Sequence, residues 1–515
     1  MCKLCDEGQP QDHGWNPRRG FLKAAAASGA GAALLATAGC NDDDDAPDLA
    51  AAPPANAGAA GVRYLIKGGA VMSMDPTVGN FAQADVLVEG RNIVQIAPSI
   101  SASGLAGTID ARGKIVMPGF IDTHHHLFET SLRSYLADGL LFDGLDAAIT
   151  QNYFQKILST FAPVYRPSDV YINTLFGALS QLDTGVTTVL DVSQIHHSPE
   201  HTEASIRALK DSGQRSVFGY FESAGAVAGN QYPNDARRIK TTHFSSSDQL
   251  LTMVMGGEIY LPGYEAAWAI GREIGVPVAC HIVGTFGMRP TFDALAMAGQ
   301  FGADNLFIHV TGMSDMAWER LRDAGAGVSL AVPIEMNMAH GTPPLIKAMQ
   351  MGLRPSLSSD VECTLTADPF TQMRSTMALQ RMFVNANKLG EANMPPTGDL
   401  GLMTTSKVLE WATVNGARDL KLEAKTGTLR PGKEADIVLL DAEAINVAPL
   451  NHVPGAVVSL MERSNVDSVI VAGRIRKWCG KLQDVDLARL KRELHASRDH
   501  LFSAAGITRD LFRAA

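Results

Sequence analysis

Positive charge, cysteine and aromatic side chains are all scarce in this sequence. Its 44 Lys and Arg are outnumbered by 54 Asp and Glu, for a net charge of −10. A chain without a basic excess is poorly matched to the phosphates of nucleic acid, so a small molecule is the expected partner. Six cysteines in 515 residues are too few for a disulfide scaffold. Cys2 and Cys5 form a Cys-x-x-Cys pair near the N-terminus, and Cys280, Cys363 and Cys479 read as core or cleft-wall thiols rather than a bridge. Long apolar runs are missing too: the candidate, residues 24–39, is short and built mostly of Ala and Gly, a poor membrane span. What is present, 46% hydrophobic and 19% charged residues, is the composition of a globular chain long enough for a large domain and a smaller one.

Ahead of that Ala/Gly run stands Asn16-Pro17-Arg18-Arg19-Gly20-Phe21-Leu22-Lys23, which resembles a twin-arginine export signal. Thr37-Ala38-Gly39-Cys40 resembles a lipobox with Cys40 as the lipidated residue, although Thr37 stands where Leu is usual. Residues 1–40 are therefore read as a leader, which places the mature protein in the periplasm or on a membrane through a lipid anchor at Cys40. Cys2 and Cys5 would leave with the leader. Residues 41–61, an Asp run followed by Ala and Pro, read as a flexible linker.

The most informative stretch is Pro118-Gly119-Phe120-Ile121-Asp122-Thr123-His124-His125-His126. An apolar run ending in imidazoles reads as a buried strand that delivers metal ligands at its tip. Side chains alternate along a strand, so His124 and His126 point one way and His125 the other. Neutral imidazole is a common ligand for zinc and similar ions. Three further donors fall at predicted strand C-termini: His281 after Pro277-Val278-Ala279-Cys280, His309 after Leu306-Phe307-Ile308, and Asp360 after Pro355-Ser356-Leu357-Ser358-Ser359. Short apolar runs alternate with longer amphipathic ones over residues 118–426, which predicts a parallel barrel with its chemistry at the strand C-termini. After the first strand and a helical insertion at 128–182, strands are expected at 185–193, 215–223, 250–255, 276–283, 306–310, 327–333 and 354–360. Alternating runs at 63–74, 85–97 and 108–117 predict a small antiparallel sheet that needs partners from 432–441 and 466–475.

The histidine stretch resembles the first-strand motif of the amidohydrolase superfamily, in the branch of cytosine-deaminase-like and triazine-hydrolase-like enzymes. Gly185-Val186-Thr187-Thr188-Val189 and Pro431-Gly432-Lys433-Glu434-Ala435-Asp436 look like motifs of the same family. The resemblance implies an α/β fold, a (β/α)8 barrel of the TIM type at 118–426, with a composite β-sandwich from 62–117 and 427–480. Residues 481–515 form a tail with a predicted helix, capped by Asp486 and carrying Leu487, Leu490, Leu494 and Leu501 on one stripe. Packing on the body is its expected use and a homo-oligomer contact the alternative.

By the same resemblance His124, His126, His281 and Asp360 bind a divalent metal, zinc first, with iron and manganese as alternatives. His309 is a further ligand or a group that polarises the substrate, and Asp360 also shuttles the proton. Such a site lowers the pKa of water from ~15.7 towards ~7. One departure stands out, because deaminase-like members carry a glutamate three residues after the fifth-strand histidine and this chain has Gly284 there. Glu222, Glu258 and Glu335 are candidates for the missing acid, and Glu222 for a second-metal ligand; each is equally a rim carboxylate or helix cap. Gln194, His196 and His197 after the second strand and His340 after the seventh are candidate substrate contacts, and His125 is read as structural. These features lead to a metal-dependent hydrolase that cleaves a non-peptide carbon–nitrogen bond in a small cyclic amide, amidine or heterocycle. Hydrolysis of an ester, lactone or carbamate at the same site is the alternative chemistry. An exported metal- or ligand-binding protein without turnover is the reading from a different class.

Overall fold

The computed structural model describes residues 52–142, 151–225, 229–389 and 398–512. The export signal, the lipobox and residues 41–51 of the linker lie outside the described residues.

Folding begins with β1 (Arg63–Met72), β2 (Asn80–Glu89), β3 (Asn92–Ala97), β4 (Leu105–Asp110) and β5 (Lys114–Pro118). The sheet is mixed rather than antiparallel throughout. β2 and β3 pair antiparallel with their neighbours, but β1 runs parallel to β4 from Arg63 and parallel to β5 at Ala70 and Val71. One strand thus changes partner along its length. The chain then passes into the barrel at Gly119, where a Cβ would come within 2.1 Å of Thr187 Cγ2, so only glycine fits.

The barrel is β6 (Phe120–His125), β7 (Val186–Ser193), β8 (Arg215–Tyr220), β9 (Leu251–Met255), β10 (Val278–Val283), β11 (Asn305–Thr311), β12 (Gly327–Leu330) and β13 (Ser356–Leu357). They pair in sequence order as one eight-stranded sheet, and the pairings are parallel. The ends meet: Asp360 N–H donates to the His124 carbonyl (3.0 Å) and His126 N–H to the Asp360 carbonyl (2.9 Å). The expected α/β barrel is therefore present. Ile121, Leu190, Val217, Val254, Ala279 and Ile308 fill its interior. Two strands are shorter than expected. β12 stops at Leu330 because Val332–Asn337 is helical, with Pro333 in the first turn where its missing N–H costs nothing. β13 keeps two residues, after which the chain bends so that Asp360 takes a left-handed φ of 63°.

After the barrel, β14 (Ile437–Asp441) pairs antiparallel with β5, and β15 (Val466–Val471), β16 (Arg474–Trp478) and β17 (Lys481–Leu482) extend the same sheet. Its nine strands thus come from both sides of the barrel segment. Tyr64, Val86 and Val116 from one side share a core with Leu439 and Ile470 from the other. Arg215, at the start of β8 and fully buried, ties barrel to sheet through Glu434 (2.5 Å) and Asp436 (2.6 Å). The tail helix Leu487–Ala504 is capped by Asp486, whose side chain accepts from Arg489 N–H. Leu490, Leu494, Leu501 and Phe502 are buried; Leu487, expected on the stripe, is exposed because it opens the helix beyond the surface it packs on. Cys280 and Cys363 are free, buried thiols. Among the described residues no helix is long and apolar enough to cross a membrane.

Candidate metal centre

Four strand ends deliver five donor side chains to one point. His124, next to last in β6, stands with His126, the residue after the strand, and their Nε2 atoms lie 3.0 Å apart. From β10, His281 brings Nε2 to 3.0 Å from His124 Nε2. From β11, His309 brings Nε2 to 3.5 Å from Asp360 Oδ2. Asp360 Oδ1 lies 3.5 Å from both His124 Nε2 and His126 Nε2. His309 reaches inward because β11 slips register against β10 at this point, with Val310 as the extra residue. His309 and Val310 have φ of 70° and 52°, a left-handed backbone that a β-branched residue adopts only under constraint.

Two carboxylates behind the cluster fix how the imidazoles present themselves. Glu258 accepts from His281 Nδ1–H (2.5 Å) and from the His281 backbone N–H (3.2 Å). Glu335 Oε1 accepts from the Ala331 N–H (2.9 Å), which makes it an acceptor for His309 Nδ1–H as well (3.1 Å). The protons therefore sit on Nδ1, and the Nε2 lone pairs of His281 and His309 face the centre. Lone pairs and carboxylate oxygens converging this closely repel one another unless a cation lies among them. Imidazole nitrogens with one carboxylate are the donor set of a divalent metal site, and the residues present fit such an ion.

The electrostatics favour neutral imidazoles at His124, His126 and His309. Burial first, and then neighbouring imidazoles, hold His124, His126 and His309 well below the ordinary histidine value. Burial also acts to lower His281, but the Glu258 carboxylate outweighs it and the net shift is upward. Burial pushes the Asp360 carboxyl up to about 7.

The cleft over this cluster encloses about 550 Å³ including its open mouth. His340 lies in its wall, 3% exposed, with neither ring nitrogen hydrogen-bonded. Gln194 also lines it. The other expected substrate contacts lie elsewhere. His196 is spent on the Ser193 carbonyl (2.8 Å) and the Thr202 hydroxyl (3.0 Å), and His197 on the Ala162 carbonyl (2.8 Å) and the Ser223 hydroxyl (2.9 Å). Both pin loops. Glu222 accepts from the Glu258 backbone N–H (2.6 Å), outside the cleft wall and outside the metal cluster, so it braces the loop that carries Glu258. Glu335 stands behind His309 rather than in the cleft, because the helix that replaces the end of the seventh strand turns its side chain inward. His125 faces away, with Nδ1 2.9 Å from Ser359 Oγ, and holds the eighth strand to the first. At Gly284 a Cβ would meet the Thr311 carbonyl oxygen at 2.6 Å, so no side chain fits there without moving β11.

Sequence reasoning missed Glu129 and Tyr153. Glu129, fully buried, accepts from the Tyr153 hydroxyl (2.5 Å), and Tyr153 lines the cleft beside His126. Burial pushes the Glu129 carboxyl up to about 8. Its one signal was position, one helical turn after His126.

The sequence pattern of the amidohydrolase family matches residues 115–476. A 5'-deoxyadenosine deaminase of Methanosarcina mazei is 27% identical over 457 residues, 85% of this chain and 98% of that protein. A 5-methylthioadenosine/S-adenosylhomocysteine deaminase of Symbiobacterium thermophilum is 27% identical over 431 residues, 80% of this chain and 93% of its own length. Among solved structures, an adenosine deaminase from Xanthomonas campestris with bound zinc superimposes with a TM-score of 0.73 at 21% identity, covering 86% of this chain and all of that one. The zinc complex of atrazine chlorohydrolase from Arthrobacter aurescens gives 0.68 at 17% identity, covering 84% and 100%.

Proposed function

From the premise that this chain belongs to the amidohydrolase family and is a metal-dependent hydrolase, we propose that it uses zinc to cleave a non-peptide carbon–nitrogen bond in a small cyclic amide, amidine or heterocycle. The observation that carries this reading is the convergence of His124, His126, His281, His309 and Asp360 with Nε2 lone pairs turned inward by Glu258 and Glu335. A divalent ion in that set supplies hydroxide near neutrality by lowering the pKa of water from ~15.7 to ~7. His124, His126, His281 and Asp360 would hold it, and His309, whose Nε2 lone pair cannot donate to a substrate carbonyl, would join them as a ligand. The Asp360 carboxylate takes a proton from the attacking water at one oxygen and returns it to the leaving nitrogen. Glu258 keeps His281 in register throughout.

The empty position at Gly284 favours substrates whose leaving group Asp360 can protonate alone, and it gives ester or carbamate hydrolysis its one supporting observation. A panel of matched amides, amino-heterocycles and esters, assayed on the zinc-loaded protein for ammonia, amine and acid release, separates the two. Amine or ammonia release is the expected result, and turnover of esters alone would replace the proposal. The twin-arginine-like leader supports export, for which cell fractionation is the test: enzyme in the periplasm or membrane fraction is expected, and enzyme retained in the cytoplasm would overturn it.

A further inference from the structure

One side of the cleft belongs to a short helix that is no part of the barrel. Phe154–Phe161 is wound as a π-helix, a rare form that recurs near functional sites, and its Phe154 and Leu158 line the cleft beside Tyr153. Its other face carries Ile157 and Phe161 into a second core, where Phe161 meets Phe502 of the tail helix edge to face, with centroids 5.1 Å apart. Ahead of its first turn the helix is fastened by the Tyr153 hydroxyl, which donates to Glu129 (2.5 Å).

Behind its last turn the sequence reads Ala162-Pro163-Val164-Tyr165-Arg166-Pro167. The two prolines bring no N–H, and Pro167 forces Arg166 into extended backbone (ψ 160°), so the helix cannot run on into Pro167–Asp183. Carbonyls that a continuing helix would have satisfied therefore need other donors. Three imidazoles supply them. His197, in the loop after β7, donates from Nε2–H to the Ala162 carbonyl (2.8 Å). His201, on the helix Pro199–Ser212, donates to the Tyr165 carbonyl (3.0 Å), and His500, on the tail helix, to the Val164 carbonyl (3.3 Å). A carbonyl only accepts, so each Nε2 carries its hydrogen. Hydroxyls of Ser223 and Ser198 meet the Nδ1 atoms of His197 and His201 at 2.9 and 2.8 Å and hold those two rings in place. The Tyr165 hydroxyl adds a bond to the Phe128 carbonyl (2.9 Å), two residues beyond the ligand His126. Three elements far apart in the chain thus spend their histidines on one four-residue stretch. None of these histidines lines the cleft, so their bonds reach it through the helix in front of them.

We propose that His197, His201 and His500 are positioning residues: their three N–H bonds hold the helix Phe154–Phe161 at the barrel mouth, so that Phe154 and Leu158 keep their places in the cleft wall. The tail helix thereby acts on the cleft from outside the barrel, whichever bond the enzyme cuts. Two readouts on the zinc-loaded full-length protein test this. In amide hydrogen exchange, His201→Ala and His500→Ala should each lower protection of residues 153–165 about five-fold, the worth of one neutral hydrogen bond, and leave the barrel strands unchanged. Calorimetry then reads the wall, with imidazole as a probe of the metal position alone and 4-phenylimidazole as a probe of metal position and wall together. The advantage of the phenyl probe should fall at least about three-fold in the alanine variants, while imidazole binds as in wild type. His201→Gln and His500→Gln, which keep an N–H near the place of Nε2, should restore both readouts. Should His201→Ala fail to fold, the partly exposed His500→Ala carries the test. Unchanged protection at 153–165, an unchanged phenyl advantage, equal weakening of both probes, or glutamine variants no better than alanine overturns the proposal. Exchange is read on metal-free protein as well, so that failure of the metal-hydrolase reading is seen apart from failure of this one.

Discussion

Glu258 and Glu335 each hold one imidazole by its Nδ1–H, at 2.5 and 3.1 Å, and so decide which nitrogen of His281 and His309 faces the ion. Glu258→Ala should lower zinc affinity by about 10–100-fold in a chelator competition; unchanged affinity would show that the orientation of His281 comes from its strand alone. At Gly284 the contact with Thr311 predicts that Gly284→Ala destabilises the fold by about 1–3 kcal/mol, measured by urea unfolding. Glu129 adds a pH dependence. Burial raises its carboxyl from the ordinary 4.5 to about 8, so the folded chain keeps a proton that the unfolded chain loses. That contribution is whole below about pH 4.5 and disappears as pH rises through about 8. In metal-free samples Glu129→Gln should therefore lose less stability than wild type between those pH values, and parallel curves would remove Glu129 as the cause. The histidine ligands were legible because each follows an apolar run, a pattern local to the chain, whereas Asp360 follows two serines and was placed by the order of the predicted strand ends and the family resemblance. Glu258 and Glu335 looked like rim carboxylates, and His196 and His197 like cleft residues, because sequence does not tell which way a loop folds back.

The barrel strands were legible through their apolar runs; their ends were not. The seventh and eighth stop early, at Leu330 and Leu357, where a helix and a left-handed turn take over to aim Glu335 and Asp360. The bulge at His309 and Val310 gave no sequence signal, since nothing in Ile308-His309-Val310 marks an unpaired residue. A buried ionic contact between barrel and sheet lies at the start of β8, where Arg215 meets Glu434 and Asp436 with no exposure of its own. Arg215→Ala leaves buried Asp436 without its ion pair, while Glu434 keeps Arg91 at 2.9 Å, and should cost about 3–5 kcal/mol in urea unfolding. A loss below about 1 kcal/mol would mean that water reaches the pair.

The whole molecule encloses one barrel within a chain whose two flanks build a single sheet, so the donors at residues 124, 281, 309 and 360 meet only when the barrel closes. Metal binding is thereby linked to the folded state: stripping the ion should lower the melting temperature, and zinc should restore it. The most direct measurement is the metal content of the purified protein, wild type beside His281→Ala and Asp360→Ala. About one divalent ion per folded wild-type chain, with little or none in the variants, is the expected result. A folded wild-type chain that turns over substrate without bound metal, or variants that retain full occupancy, would contradict the metal centre.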